Sequence, residues 1–403
     1  MSGPILIVGA GPAGLSAAAC LGRRGFDAIL VDRDLFPGGH GAQLACQATD
    51  SCARCNACLT EESASAIDPA RVRLAVGTQV VEASPGPSGY KVSLRTDAQY
   101  IDPDICVECG KCLNACPKAG KAIRQRPLSL GPRFGLDASQ CLRFQGRDCN
   151  ACQDACPVDA IKWDAKPRDR EITVPAVILA AGYTPFDAKL KPRYGYDLLD
   201  DVVTSVELDH WLRNGSGLVR PSNGQVPADI AFIQCVGSRD TSLGRDYCSR
   251  VCCGYAMRLA RLVRYRWPLT SISIFYMDLQ NVGRNFDKYL SDSIGEFEFI
   301  HGVPGELQLD ADGRVRVPFL NEGAGHRDVR LFDLVVLSVG LGPPDIGPMT
   351  NLGYQRNEDG FWVGQPDQGL FAAGAAIGPM GVAESKAGGL AAAEAAVRYV
   401  RRS

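Results

Sequence analysis

The chain has 403 residues, of which 46% are apolar and 22% are charged, and its formal net charge is −2. This composition suffices for one large core or two ordinary ones and excludes a chain that is disordered throughout. The charge balance lacks the basic surplus of nucleic-acid-binding proteins, and no apolar stretch reaches the ~20 residues of a membrane-spanning helix.

Cysteine is the most informative residue type, because the chain holds 17 of them. The N-terminus runs directly into the apolar stretch Ile5–Val8 without the features of a secretion signal, which predicts a cytoplasmic protein. Since the cytoplasm keeps thiols reduced, so many cysteines predict metal binding rather than disulfides. Sixteen of them fall in four short groups, whereas Cys20 lies in an apolar helical stretch and is interpreted as a core residue.

The first predicted unit opens a doubly wound α/β fold. An apolar strand at 5–8 precedes a glycine loop, an alanine-rich helix and a second strand at 28–31. Gly9, Gly11 and Gly14 form a GxGxxG motif there, which permits a tight turn, close approach of backbone amides to a pyrophosphate, and helix–sheet packing. Asp32 ends the second strand and can bind a ribose hydroxyl. The motif therefore predicts a dinucleotide site, and the alternative is a glycine turn that binds nothing.

Three further segments favour FAD over NAD as the dinucleotide. The Pro37–Gly39 turn, the strand end Leu179–Gly182 and the stretch Leu370–Gly374 resemble the flavoprotein superfamily with two dinucleotide domains, which includes thioredoxin and glutathione reductases. An acidic residue usually follows the last motif in that superfamily, but this chain has Ala375, so pyrophosphate binding would rely on backbone amides. The predicted flavin-binding residues are Gly9, Gly11, Pro12, Ala13, Gly14, Asp32, Arg33, Gly38, Gly39, Gln43, Val80, Val81, Ala181, Gly182, Gly374, Ala375, Gly381, Val382 and Ala383.

Two cysteine quartets follow, within a cysteine-rich block that spans residues 101–168. The first quartet has the spacing of bacterial ferredoxins, where the fourth cysteine binds the other cluster, and the second repeats it with a longer first gap. Both end in Cys-Pro. The sequence therefore predicts two 4Fe–4S clusters with crossed ligands, and the alternative is a pair of zinc knuckles. Cluster one would take Cys106, Cys109, Cys112 and Cys156, and cluster two would take Cys141, Cys149, Cys152 and Cys116.

The other two cysteine groups have less familiar spacings. The third group, Cys235, Cys248, Cys252 and Cys253, follows the predicted strand Ile230–Gln234, where a thioredoxin-reductase-like protein would carry the glycine loop for NADPH. It predicts a non-standard 4Fe–4S cluster in place of that nucleotide, and the alternative is buried cysteines beside a redox pair. The remaining group, Cys46, Cys52, Cys55 and Cys58, is compact enough to surround a fourth cluster, with zinc or a partner-shared site as alternatives.

The order of these segments predicts an α/β, thioredoxin-reductase-like pair of dinucleotide-binding domains with an inserted ferredoxin-like domain. The FAD-binding domain would be discontinuous, over residues 1–100, 170–225 and 340–403. The ferredoxin-like domain would span 101–168, and the second Rossmann-like domain would span 226–339.

The stretches Ile233–Asp240 and Tyr247–Cys253 resemble a signature of the heterodisulfide reductase A-subunit family, as does Gly38–Leu44. This family includes the A subunits of the quinone-interacting membrane-bound oxidoreductases. The resemblance implies an FAD beside an unusual cubane held by the third cysteine group. It also implies an electron donor protein, heterodisulfide-reductase-like B and C subunits or membrane quinone-interacting subunits as partners, and a homodimer within the complex. Some members of the family bifurcate electrons.

These features together predict an electron-transfer subunit that converts between two-electron flavin chemistry and one-electron cluster chemistry. The alternatives are a self-sufficient NAD(P)H-dependent reductase and a passive electron wire with a structural FAD. No acid–base constellation is evident, and the four histidines, His40, His210, His301 and His326, are interpreted as surface or packing residues. Lys386 is the best candidate for a charge near the flavin, although it could equally be solvated.

Overall fold

Two parallel sheets of five strands organise the chain. The structure is a computed structural model and describes residues 3–46, 56–214, 217–280, 286–321 and 325–402. The inner strands of both sheets are short, largely apolar runs that are buried on both faces, which is typical of parallel sheets covered by other layers. In spatial order the strands of the first sheet are Leu370–Ala372, Val177–Leu179, Ile5–Val8, Ala28–Val31 and Val72–Ala75.

Helix Pro12–Arg23 and helix Val382–Arg402 cover one face of the first sheet and pack against each other. Their shared surface consists of small side chains, so the two backbones approach closely. A Cβ atom at Gly389 would lie 2.1 Å from the carbonyl oxygen of Ala13, which shows that no larger residue fits at this crossing. Helix Val382–Arg402 therefore packs directly against the backbone of the glycine loop at Ala13.

An antiparallel sheet covers the other face and is formed by Thr78–Gly86, Gly89–Thr96 and Arg168–Val174. Its middle strand alternates as the sequence predicts, with Val92 and Leu94 in the core and Lys91 and Arg95 in exposed ion pairs. The cysteine-rich block is inserted between the second and third of these strands.

The second sheet has the spatial order Val202–Thr204, Leu334–Val339, Asp229–Val236, Ser271–Tyr276 and Glu298–His301. One boundary differs from the prediction. Residues 202–204 fall in the range 170–225 assigned to the FAD-binding domain, yet they pair with Leu334–Val339 and so belong to the second unit. The reason is that this strand supplies the hydrogen-bonding neighbour that Leu334–Val339 needs on its outer side.

Helices Ser205–Asn214, Cys252–Arg266 and Phe286–Ile294 belong to the second unit. A second antiparallel sheet, formed by Gln308–Leu309, Val315–Asn321 and His326–Phe332, packs on the opposite face of the second parallel sheet. The two parallel-sheet units are joined by the short pair Thr184–Pro185 and Leu341–Gly342. Another short pair, Gln355–Arg356 and Trp362–Val363, precedes the last strand.

The cysteine-rich block contains little regular structure. Its elements are helices Lys111–Ala115 and Ala151–Asp154 and the hairpin of Ile123–Gln125 with Phe134–Leu136. A bridge between Ile101 and Ile161 closes the block at its base. Its core is small and includes three cysteines, Cys112, Cys141 and Cys152.

Two short helices, Gly39–Gln43 and Leu59–Ser65, complete the described elements of the first unit. In the part of the chain that the structure describes, no helix combines the length and the apolar character needed to cross a bilayer.

Candidate functional site

A cavity of about 430 Å³ lies at the carboxyl ends of the first sheet and extends to residues of the second unit. This is where ligands bind in open α/β sheets, and the volume is typical of a small-molecule site. Fifteen of the nineteen predicted flavin-binding residues line it: Gly9, Gly11, Pro12, Ala13, Asp32, Arg33, Gly39, Gln43, Val80, Ala181, Gly182, Gly374, Ala375, Gly381 and Val382. Gly14, Gly38, Val81 and Ala383 do not line it, and the Val81 side chain is 37% exposed.

The glycine loop has the geometry of a pyrophosphate cradle. Gly9 has a φ of +103°, and a Cβ atom there would lie 2.3 Å from the carbonyl oxygen of Ala180. A Cβ atom at Gly14 would lie 1.8 Å from the carbonyl oxygen of Gly9, so this glycine serves the packing of helix against loop. At Gly11, by contrast, a Cβ atom would meet nothing within 4 Å. The open side of the loop therefore faces space, and the free amides of helix Pro12–Arg23 favour an anion.

Asp32 is a buried carboxylate beside the glycine loop. It accepts hydrogen bonds from the backbone N–H of Ala10 at 2.6 Å and of Asp34 at 2.9 Å. Burial raises the pKa of Asp32 to about 6, and the two backbone hydrogen bonds oppose that rise. These bonds hold the side chain at the cavity wall, where a ribose hydroxyl could donate to it.

Two buried polar atoms of the cavity-lining residues have no hydrogen-bond partner among the described residues. They are the Oγ of Ser338 and the Nε of Arg258. Because an unpaired buried polar group is unfavourable, both atoms indicate that the cavity fits a ligand with polar groups.

The cavity wall also contains residues that the sequence analysis did not select as flavin-binding. The His40 ring stacks on the Tyr183 ring, with the centroids 4.5 Å apart and an angle of 29° between the planes. Tyr255 donates its hydroxyl to Asp209 at 2.6 Å. All but Asp209 line the cavity, as does Cys252. His40 therefore lines the cavity and packs on the Tyr183 ring.

The third cysteine group lies next to this cavity. Burial raises the pKa of Cys235 to about 11, and the thiols of Cys253 and Cys248 reinforce the rise. Burial likewise raises the pKa of Cys252 and of Cys253. Each of these thiols thus senses the charge of others in the group, so the structure brings the four cysteines together. Cys252 begins helix Cys252–Arg266 and is the member that lines the cavity.

The backbone around this group is unusual in two respects. Cys235, Arg239 and Arg250 have positive φ angles of 59°, 54° and 62° although none is a glycine, and such conformations collect at functional sites. The side-chain amide of Gln234 is buried, and neither its nitrogen nor its oxygen has a partner among the described residues. The Arg250 N–H donates to the Cys248 Sγ at 3.2 Å. Donors directed at sulfur are what a cluster ligand set requires.

In the ferredoxin-like block, one small cavity is lined by four cysteines drawn from both quartets. They are Cys116, Cys141, Cys149 and Cys152, the set predicted for cluster two. Burial raises the pKa of Cys152 to about 11, with Cys116 and Cys141 contributing next. The first quartet shows a similar relation, since burial raises the pKa of Cys112 and the thiols of Cys106 and Cys109 add to the rise. Cys156 accepts a hydrogen bond from the Ala160 N–H at 3.2 Å.

Among the described residues, no three Cys, His, Asp or Glu side chains converge closely enough to hold one ion. Zinc requires its sulfur ligands at about 2.3 Å from a common point. A cubane presents four separate iron corners, so its thiolates stand farther apart.

The structure does not support two of the predicted sites, the cluster site of the fourth cysteine group and the position of Lys386 beside the flavin. Cys46 and Cys58 are exposed, while Cys52 and Cys55 lie outside the described residues. Lys386 forms an ion pair with Glu62 at 2.8 Å and does not line the cavity.

Comparison with known proteins adds sequence and fold relatives. A family described as NAD(P)-binding Rossmann-like domain matches residues 7–46. The iron–sulfur A subunit of the CoB–CoM heterodisulfide reductase of Methanocaldococcus jannaschii is 33% identical, over 97% of this chain and 63% of the relative. An A subunit of the same reductase from Methanopyrus kandleri is 35% identical, over 96% of this chain and 63% of the relative. The chain thus spans less than two thirds of the length of these relatives.

Among solved structures, the thioredoxin reductase of Lactococcus lactis matches with a TM-score of 0.55 and 16% identity, over 100% of both chains. At this identity the likeness concerns the fold alone. It confirms the predicted thioredoxin-reductase-like pair of α/β units.

Proposed function

The chain is a homologue of the heterodisulfide reductase A subunits over almost its whole length, and on this premise we propose that it is an FAD- and iron–sulfur-containing electron-transfer subunit of an oxidoreductase complex. The family resemblance predicted from its cysteine motifs is confirmed. The observation that carries the proposal is the position of Cys252, which belongs to the third cysteine group and also lines the cavity beside the glycine loop.

The first cavity fits FAD by the character of its walls. The Gly9–Gly14 loop would hold the pyrophosphate through backbone amides, and Asp32 would accept from a ribose hydroxyl. Ser338 and Arg258 would find partners for polar atoms that otherwise lack them. Tyr183 and His40 offer flat surfaces at the end of the cavity near Cys252.

The three cysteine groups that the structure describes in full would each hold a 4Fe–4S cluster. Clusters are favoured over zinc because both quartets end in Cys-Pro with ferredoxin-like spacing, and because one cavity is lined by cysteines from both quartets. A fourth cluster at Cys46, Cys52, Cys55 and Cys58 remains part of the proposal on sequence spacing alone.

When bound, a flavin exchanges two electrons with one partner and single electrons with another, and each cluster carries single electrons. The chain's own residues supply the surroundings. Cys252 brings the third group to the wall of the flavin cavity, and the burial of Cys252 and Cys253 would keep water from that side of the group. The Arg250 N–H and the Gln234 amide are available to sulfur, and such hydrogen bonds tune reduction potentials.

A self-sufficient NAD(P)H-dependent reductase is disfavoured by the loop after strand Asp229–Val236. Gly237 is the glycine of that loop, and a Cβ atom on it would lie 2.0 Å from the Phe186 ring. This glycine therefore lies against a ring in the core of the second unit. The loop also has Arg239 and Ser242 where a GxGxxG motif that starts at Gly237 would carry its second and third glycines.

We propose that the terminal acceptor is reduced by other subunits, of the B and C type or quinone-interacting, that an electron donor protein supplies this one, and that the complex works in the cytoplasm. Electron bifurcation and a homodimeric arrangement within the complex belong to the same proposal and rest on family resemblance.

The proposal is tested by purifying the chain without oxygen and measuring FAD, iron and acid-labile sulfide. We expect one FAD and about twelve irons per chain if three cubanes are present, or about sixteen with a fourth. NADPH and NADH should leave the flavin absorbance unchanged, whereas dithionite should bleach it. Protein that holds FAD but little iron, with Cys235, Cys248, Cys252 and Cys253 titrating as free thiols, would contradict the proposal. A flavin that stays oxidised when a physiological donor reduces the clusters would favour the passive-wire alternative.

A further inference from the structure

The His40 side chain lies at the cavity wall, where its ring stacks on the Tyr183 ring. The Tyr183 hydroxyl senses the charges of Cys252 and Asp209, which places this pair on the side of the third cysteine group. If FAD binds as proposed, with a ribose at Asp32 and its redox-active ring toward Cys252, that ring lies on the side of His40 and Tyr183.

Charged groups on two segments face His40. Asp34 and Arg33 follow strand Ala28–Val31, and Tyr183 follows strand Val177–Leu179. Burial lowers the pKa of His40, and Arg33 lowers it further, while Asp34 and a hydrogen bond to the Tyr183 backbone oppose the change. The imidazole is therefore mainly neutral at pH 7, and a neutral imidazole can accept a proton.

Other groups at the cavity wall are less suited to proton exchange. Burial raises the pKa of Tyr183, Tyr255 and Cys252 far from neutrality. Asp32 already accepts from two backbone amides. Of the residues that line the cavity in the described chain, His40 is the only histidine.

Resting on the proposed flavin site, we propose that His40 exchanges the proton that accompanies flavin oxidation and reduction. Oxidation of an anionic reduced flavin releases two electrons and one proton. The electrons leave singly toward the cysteine-held clusters, and the neutral imidazole of His40 takes the proton and becomes imidazolium. The exposed Asp34, which also lines the cavity, then offers a route for that proton to solvent. In the reverse direction the imidazolium returns the proton as the flavin is reduced.

The experiment uses the anoxic holoprotein with its flavin and clusters reduced by dithionite, mixed in a stopped-flow instrument with benzyl viologen at pH 5.5 to 8.5. The rate of flavin oxidation should rise with pH in the unsubstituted protein, because only the neutral imidazole accepts a proton. In His40→Asn the rate at neutral pH should fall about 100-fold and the rise should disappear. His326→Asn, on the hairpin of the distant antiparallel sheet, is the matched control and should behave as the unsubstituted protein.

A structural role for His40 is separated from proton exchange by chemical rescue. In His40→Ala, added imidazole should restore most of the lost rate, with a pH dependence that follows the pKa of the added base. Flavin-loaded His40→Asn with an unchanged rate and pH profile would overturn the inference, as would failure of imidazole to restore His40→Ala. Loss of flavin from both variants would assign His40 to flavin binding and also overturn it. Absence of flavin from the unsubstituted protein would instead remove the proposed function.

Discussion

Burial of the Asp32 carboxyl group lowers the stability of the protein when no ligand is bound, because burial disfavours the charged form of the carboxyl group. In flavin-free protein the group has a pKa of about 6, above the 3.8 of an exposed aspartate. The folded state therefore binds more protons than the unfolded state between these two values. It follows that stability falls as the pH rises through this window and levels off above it.

We therefore expect flavin-free protein to gain about 1 kcal/mol of unfolding free energy from Asp32 when the pH is lowered from 7 to 5. The variant Asp32→Asn, which cannot ionise, should lack this contribution. The measurement is anoxic urea denaturation at both pH values, with the variant's pH response subtracted from that of the unsubstituted protein. Equal responses of the two proteins would show that Asp32 is not protonated in the empty site.

Two adjacent glycines of helix Val382–Arg402 differ sharply in the space around them. At Gly389 a Cβ atom would lie 2.1 Å from the Ala13 carbonyl oxygen, whereas at Gly388 it would lie 3.5 Å from the Gly374 nitrogen. The first contact is with backbone and cannot be relieved by a side-chain rotation. The second is an ordinary van der Waals contact.

Gly389→Ala should therefore destabilise the protein by about 2–3 kcal/mol through overpacking, and it should weaken flavin retention because Ala13 lies within the Gly9–Gly14 loop. Gly388→Ala is the matched control and should be neutral or stabilising by roughly 0.5–1 kcal/mol, since alanine is the better helix former. Thermal unfolding and the FAD content after gel filtration measure both effects. Similar losses in the two variants would mean that the helices do not cross as described.

If the two quartets exchange their fourth cysteines as predicted, substitutions in different quartets should remove the same cluster. Cys116→Ser should remove the cluster bound by the second quartet, because Cys116 lines the same cavity as Cys149. Its electron paramagnetic resonance spectrum after reduction should match that of Cys149→Ser. Cys156→Ser should likewise match Cys106→Ser. A Cys116→Ser spectrum that matches Cys109→Ser would establish uncrossed ligation.

Across the whole chain, the sequence predicts the architecture more fully than the contents of the cavity. The glycine loop, the strands at 5–8, 28–31 and 230–234 and the ferredoxin spacing are local patterns, so each can be recognised without knowing its neighbours. Residues such as Tyr255 and Ser338 carry no local signal. They reach the cavity only because the two sheets are placed side by side, which depends on contacts distant in sequence.

The domain boundary predicted after residue 225 differs from the structure for the same reason, because the placement of Val202–Thr204 also depends on contacts distant in sequence. The apolar residues of this segment predict a strand equally well in either unit, and only the pairing with Leu334–Val339 decides between the two sheets. The sequence held one signal by which His40 could have been selected as a cavity residue, because it follows Gly38–Gly39 in the stretch that resembles the reductase family. A histidine between small residues nevertheless gives no indication of what it stacks on.

Cys252 belongs to the second unit and lines the cavity at the first sheet. On the proposed function it connects the flavin site with the third cysteine group, and its replacement tests that role in the intact protein. Cys252→Ser should lose about four irons per chain while the two ferredoxin-type signals remain, and the reduced flavin should then lose its electrons to the remaining clusters at least tenfold more slowly. Cys20→Ala, in the core of the first unit, is the control and should keep its full iron content. Rapid-freeze spectroscopy follows the transfer. Unchanged transfer in Cys252→Ser would show that electrons bypass the third group.

The first sheet places Leu370–Ala372 beside Val177–Leu179 and relies on helix Val382–Arg402 behind the glycine loop. During synthesis on the ribosome, the ferredoxin-like block emerges long before these last elements do. A nascent chain can thus receive iron and sulfide while its dinucleotide pocket still lacks a wall. On the proposed function, flavin loading therefore has to wait until helix Val382–Arg402 has been synthesised, whereas cluster assembly in the block does not.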